Sequence, residues 1–225
     1  MNYLKITTCF VACSLILPAC QEDFLERYPL DEVSAAVFFK QPNDLKIYMN
    51  QYYHKSVFPL INLDTRSDIG IDTYIDETRI DARLQGTRTI ASGSAMGYTN
   101  IRSINYFFDN YRKCEADFND YKQYVGEAHF FRAKFYFDLL RTFGDVPWIT
   151  TVLGTDSPEL YSARTPRNVV VDNMIAYLDT AAMYLMADKT NGCSRINKWI
   201  ALLLQSRIAL YEGAWEKYHA GDPFG

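Results

Sequence analysis

One stretch constrains this chain more than any other: "VGEAHFFRAKFYFDLLRTFGDVPW", Val125 to Trp148. Counted at 100° per residue, Glu127, Lys134, Asp138 and Arg141 fall on one narrow polar edge. Ala128, Phe130, Phe131, Ala133, Phe135, Phe137, Leu139, Leu140 and Phe143 fill the rest of the circumference. A helix this apolar has to be covered on more than one side, so the sequence predicts a central helix with neighbours around it. Gly144 just past its end and Pro147 soon after stop it. His129 and Arg132 break the pattern by projecting to the apolar side. His129 reads as a core histidine bonded to backbone or to a nearby carboxylate. Arg132 reads as a structural residue in a buried ion pair or with a snorkelled stem, since an unpaired buried charge costs several kcal/mol.

Further helical periods flank this one. "EVSAAVFF" and "PNDLKIYMNQYYHKS" repeat at helical spacing, with Pro42 at a start and Leu45, Tyr48, Met49, Tyr52 and Tyr53 on one stripe. Tyr98 to Cys114 is helical. Asn168 to Met186 lines up Val171, Ile175, Leu178, Ala182 and Leu185. Ile196 to Glu212 is broadly apolar and is read as ending at Gly213. Between the first two periods lies a long stretch, Phe58 to Tyr98, rich in acid and arginine and without a clear period, which reads as a binding loop or a floppy one. The fold class is therefore all-α, built of tetratricopeptide-like antiparallel hairpins with a long irregular insertion. Ala133 and Phe137 fit the A-x₃-F element of such repeats.

The amino terminus carries a different signal. A single basic residue, Lys5, precedes an uncharged apolar run too short to span a bilayer, and the run closes on Leu17-Pro18-Ala19-Cys20. Residues 1–19 read as a signal peptide, and the tetrapeptide resembles a bacterial lipobox, which makes Cys20 the lipidated first residue of a chain spanning 20–225. Each buried CH₂ of an acyl chain contributes about 0.8 kcal/mol, so a multiply acylated cysteine tethers the protein to a membrane without spanning it.

Of five cysteines, Cys9 and Cys13 leave with the signal and Cys20 takes the lipid. Cys114 and Cys193 remain and can pair, but they form no metal pattern. A net charge of −4 gives no basic surface for nucleic acid. His54, His129 and His219 lie far apart, and no metalloprotease, nucleophile-elbow or phosphate-cradling motif is present, so no catalytic residue, metal or cofactor is expected. Asp64, Asp68, Asp72, Asp76, Glu77 and Asp81 supply the carboxylates a helical glycosidase would need, yet acid clusters of this kind are usually solvated surface.

Taken in order, "CQEDFLERYPL", "YTNIRSINYFFDNYR", "GEAHFFRAKFYFDLLRTFGDVPW" and "KWIALLLQSRIALYEGAWEKYH" resemble the amino-terminal part of SusD/RagB-type nutrient-uptake lipoproteins. The central element is similar to the family pattern at Gly126, Glu127, Ala128, Phe130, Arg132, Ala133, Tyr136, Phe137, Leu139, Phe143, Gly144, Asp145, Val146 and Pro147. The resemblance implies a lipid-anchored protein on the outer-membrane surface that captures oligosaccharide or peptide and delivers it to a TonB-dependent outer-membrane channel. It also implies that Gln21-Glu22-Asp23 act as a surface-export signal beside the anchor, and that a carboxy-terminal half of the family is absent here. In such proteins loops carry the ligand. Glycan recognition uses a ring face with planar hydrogen-bonding groups, and within the region 58–98 Tyr74, Arg79, Arg83 and Tyr98 have them. A tetratricopeptide-type interaction scaffold without nutrient binding is the alternative.

Overall fold

The computed structural model describes residues 38–55, 89, 96–187 and 195–222. The expected lipidation site Cys20, the helix expected over "EVSAAVFF" up to residue 37, the loop residues Tyr74, Arg79 and Arg83, the acid cluster Asp64–Asp81 and Cys193 lie outside them. Contacts along the chain divide it at Phe38, and the unit from Phe39 to Gly225 holds all the helices described below.

Among the described residues five α-helices follow in order: α1 Pro42–Lys55, α2 Thr99–Asn110, α3 Phe118–Phe143, α4 Arg167–Tyr184 and α5 Lys198–His219, with short 3₁₀ turns at Tyr111–Lys113 and Pro158–Tyr161. No strand occurs among the described residues; a single antiparallel bridge joins Val146 to Thr165. The all-α expectation holds. Before α1 the chain turns through Phe39, whose φ of 72° is costly for a residue with a Cβ. Burial of its ring against Tyr48 and Phe107 offsets that cost. Pro42 then opens α1, and the Asp44 carboxylate accepts from the Lys40 and Gln41 amides, satisfying donors no helical carbonyl can reach.

α3 is the hub. It begins at Phe118, seven residues earlier than the central period suggested, and is capped by Asp117, whose side chain accepts from Asn119 N. It ends at Gly144, which takes a φ of 71°, a conformation only glycine adopts freely, while its amide bonds to Leu140 O. One side packs on α1, with the Phe131 and Phe135 ring centroids 5.3 and 5.5 Å from that of Tyr52, and on α2, where His129 lies 4.7 Å from Phe108. The other side packs on α4. Phe118, near its start, meets Tyr184 at the end of α4, and Asp145, just past its end, caps Arg167 N at the start of α4. These contacts make the pair antiparallel. Gly126 permits the approach, because a Cβ there would sit 3.0 Å from Leu185 and 3.1 Å from Tyr184.

α4 and α5 are antiparallel for the same kind of reason. Lys198 N bonds to Met186 O at one end of the pair, and Arg167 grips Glu212 at the other. One expectation is corrected here. α5 does not end at Gly213 but runs on to His219. Trp215 and His219 stack at 4.0 Å, and Arg167 lies 3.9 Å over the Trp215 ring, so contacts on the following turn outweigh the local helix-breaking tendency of one glycine. Glu127, on the narrow polar edge, is wholly buried.

Candidate functional site

The segment that follows α3 is extended but belongs to no sheet, so its backbone polar groups need other partners. Side chains of α2 and α3 and their flanks supply them. Tyr98 donates to Pro147 O at 2.9 Å, and Tyr136 donates to Ile149 O at 2.9 Å while accepting from Ile149 N at 2.7 Å. Asn105 reaches both Ile149 O and Thr151 O, at 3.2 and 2.8 Å. Arg132 donates to Thr150 O at 3.1 Å, and Arg102 bonds to Leu153 O. The result is a rack that fixes residues 147–153 against two helices. Trp148 is stacked in it, 4.0 Å from Tyr136 and 5.7 Å from Tyr177.

Tyr98 is the one expected ligand residue among those described. Burial pushes its phenol up to about 12, and its hydroxyl is engaged by the Pro147 carbonyl. Any ligand contact from Tyr98 therefore falls to its ring. Pro147 enters the rack through that same carbonyl.

Arg132 is 3% exposed, as its position on the helix predicts. Its partners differ from the expectation. Among the described residues no carboxylate pairs with it. Asn105 Oδ1, Tyr177 Oη at 2.7 Å and Thr150 O accept from the guanidinium, which lies 4.3 Å over the Phe108 ring and 5.0 Å over Tyr177. Neutral acceptors and ring faces thus stand where a counter-ion was expected, and burial lowers its basicity. His129 is corrected in the same way. Its Nδ1 is buried without a hydrogen-bond partner, and its ring packs 4.7 Å from Phe108 and 5.1 Å from Tyr177. Burial first, and Arg132 second, pull its pKa down to about 3. Arg132 Nε is likewise unpartnered.

A cavity of about 440 Å³ opens where the end of α3, the start of α4 and the end of α5 converge. Asp145, Arg164, Arg167, Glu212 and Trp215 are among its lining residues. Sequence reading missed it, since the lining comes from three separate segments. Arg167 and Glu212 form a two-pronged ion pair at 2.6 to 3.1 Å in its wall. The Trp215 indole is already packed between Arg167 and His219, so the cavity offers charged and planar polar groups without an open aromatic platform. Among the described residues no group of three or more His, Cys, Asp or Glu side chains is placed to hold a metal ion.

The roots of the expected ligand loop are firm. Tyr48 donates to Ser103 O at 2.8 Å and Tyr52 to Ser103 Oγ at 2.7 Å. These bonds tie α1, which leads into the segment, to α2, which receives it.

A family model described as starch-binding, associating with the outer membrane, matches residues 42–210, most of the chain. The chain belongs to the SusD-like family. SusD-like protein P2 of Formosa agariphila is 27% identical over 82% of this chain and 38% of its own length, and SusD-like protein P25 of the same organism is 21% identical over 95% and 44%. A SusD-like protein of Bacteroides fragilis superimposes with a TM-score of 0.67 at 26% identity, covering 84% of this chain and 39% of its own. A SusD-like carbohydrate binding protein of the same species gives a TM-score of 0.65 at 18% identity over 80% and 39%, a likeness of fold. The SusD-like chain thus spans less than half the length of the relatives it matches.

Proposed function

We propose that this chain is the helical scaffold of a nutrient-binding lipoprotein that captures oligosaccharide at the outer membrane and passes it to a TonB-dependent channel. The observation that carries the reading is the match to a starch-binding, outer-membrane family across residues 42–210. Two features of the chain support it. The two ends of the segment between α1 and α2 are tied to each other, where Tyr48 and Tyr52 of α1 bond to Ser103 of α2, which fixes the roots of a loop. The lipobox-like Leu17-Pro18-Ala19-Cys20 supplies a membrane tether.

In this reading Cys20 carries the lipid, and Tyr74, Arg79, Arg83 and the ring of Tyr98 contact the glycan. Arg132, Gly144 and Pro147 hold the scaffold. No residue acts as a catalyst. Calorimetry of the full-length protein against starch oligosaccharides tests the ligand, and co-purification of an outer-membrane barrel from native membranes tests the partner. A protein-interaction scaffold without nutrient binding is the second reading, favoured by the exposed apolar side chains on α5. Barrel co-purification without glycan binding would select it.

A further inference from the structure

The hydrogen bonds of the core leave two atoms over, and both stand in one aromatic slot. Among the described residues, Arg132 Nε and His129 Nδ1 are buried without a hydrogen-bond partner. The guanidinium lies 4.3 Å over the Phe108 ring and 5.0 Å over that of Tyr177, and the imidazole centroid is 4.7 Å from Phe108 and 5.1 Å from Tyr177. One ring from α2 and one from α4 thus enclose both polar groups, which sit three positions apart on α3, where side chains are neighbours with about 5–6 Å between Cβ atoms. The great majority of buried polar atoms have a partner, in the protein or in ordered water.

The chemistry of the pair decides what can satisfy both. Arg132 Nε keeps its proton at every accessible pH and can only donate. Burial and the Arg132 charge hold the His129 pKa down to about 3, so at neutral pH the ring is uncharged, with one nitrogen that donates and one that accepts. A proton on Nδ1 would set two donors together beside a positive charge. The proton therefore belongs on Nε2, and Nδ1 keeps its lone pair in the slot. An anion could accept from Nε but has nothing to give to Nδ1, and a cation is repelled by the guanidinium. Water does both, and two bonds of about 2.8 Å at its tetrahedral angle span about 4.6 Å, a reach suited to neighbours on a helix. The Tyr177 hydroxyl accepts from Arg132 Nη1 at 2.7 Å and has its own proton left to give, which supplies the third contact such a water ordinarily makes.

We propose that Arg132, His129 and Tyr177 bind one internal water between α2, α3 and α4, accepting from Arg132 Nε and donating to His129 Nδ1, and that it locks His129 in the Nε2–H tautomer. Nη1 and Nη2 of Arg132 already reach Tyr177, Asn105 and Thr150, so the water extends the same hub to His129 through Nε. The groups that form the site lie within residues 108–177, inside packed helices, and it is complete without any further segment.

A histidine nitrogen spectrum of the full-length protein at neutral pH and a high-resolution crystal structure test this. The expected result is a protonated Nε2 with a bare Nδ1 for His129, and one ordered water within hydrogen-bond distance of Arg132 Nε and His129 Nδ1. Oxygen-17 relaxation dispersion counts long-lived waters in solution. His129→Phe, which removes the acceptor, should lose one, whereas His129→Asn, whose amide oxygen stands near the place of Nδ1, should keep it. An Nδ1–H tautomer, a direct bond from Nε to Nδ1 with no water between them, or a His129→Phe variant that retains every long-lived water overturns the proposal. The first two readouts need only the wild type, so a variant that fails to fold leaves the test intact.

Discussion

Arg195 closes on Glu127 from 68 positions away in the chain, its Nη2 2.6 Å from Oε2 and its Nε 2.8 Å from Oε1. Glu127 is wholly buried, and Gln123 Nε2 also donates to it at 2.9 Å. Burial alone would make Arg195 less basic, but the bonds to Glu127 outweigh it and raise the guanidinium. The same arginine lies over Tyr53 and Tyr124 and reaches Asn50. One ion pair therefore pins the start of the α5 hairpin to α3 and α1 together.

Removing one partner strands the other. Arg195→Ala should destabilise the fold by about 3 kcal/mol, because the Glu127 carboxylate stays buried without its counter-ion. For a unit of this size that lowers the melting temperature by about 6–12 °C. Replacing both residues, Glu127→Leu with Arg195→Met, should recover at least half of the loss, since no charge is left in the interior. Urea denaturation of the three variants measures it, and equal losses in the single and double variants would contradict the account.

His129 makes stability depend on acid. Its ordinary value is near 6.5 and its folded value about 3. Above 6.5 the imidazole is neutral in both states and has no effect. Between 6.5 and 3 the unfolded chain takes up a proton that the folded chain refuses, so stability falls as pH falls. His129→Phe removes this dependence, and the stability of the wild type relative to the variant should drop by about 2 kcal/mol between pH 7 and pH 5. Parallel denaturation curves for the two proteins across that range would show that His129 protonates freely in the fold.

Arg132→Ala should cost about 2–3 kcal/mol, through Asn105 and the Thr150 carbonyl left without a donor and through the lost stacking on Phe108 and Tyr177. Arg132→Lys should recover little, because a point charge cannot reproduce the planar fork. Thermal melts and glycan titrations of the full-length protein should be run together. A variant that melts like the parent yet fails to bind would place Arg132 in the ligand site instead of the scaffold.

Lipidation at Cys20 predicts that Cys20→Ala leaves the protein unprocessed or soluble. Membrane fractions after a carbonate wash, with intact-mass measurement, check it. A variant that stays bound with the mass shift of the wild type would rule out the anchor.

How far these features could be read from the chain depended on where their causes lie. The central helix, its stop at Gly144 and the burial of Arg132 were legible, because a 3.6-residue period and a glycine followed by proline act locally. The same wheel put Glu127 on a polar edge but could not show its burial, since the arginine that offsets it is far away in sequence. It proposed a carboxylate for Arg132 where Asn105, Thr150 and two rings serve, and it ended α5 at Gly213 because Trp215, His219 and Arg167 act only once the hairpin has formed. The cavity around Arg167 and Glu212 was invisible for the same reason.

The central claim is that the segment between α1 and α2 contributes to a glycan site on this scaffold. Isothermal titration of the full-length protein with starch oligosaccharides, alongside the triple variant Tyr74→Ala, Arg79→Ala and Arg83→Ala, addresses it most directly. Three contacts worth about 1 kcal/mol each predict at least a hundredfold weaker binding in the triple variant with an unchanged melting temperature. Equal binding by both proteins, or none by the wild type across the oligosaccharides, would contradict the account.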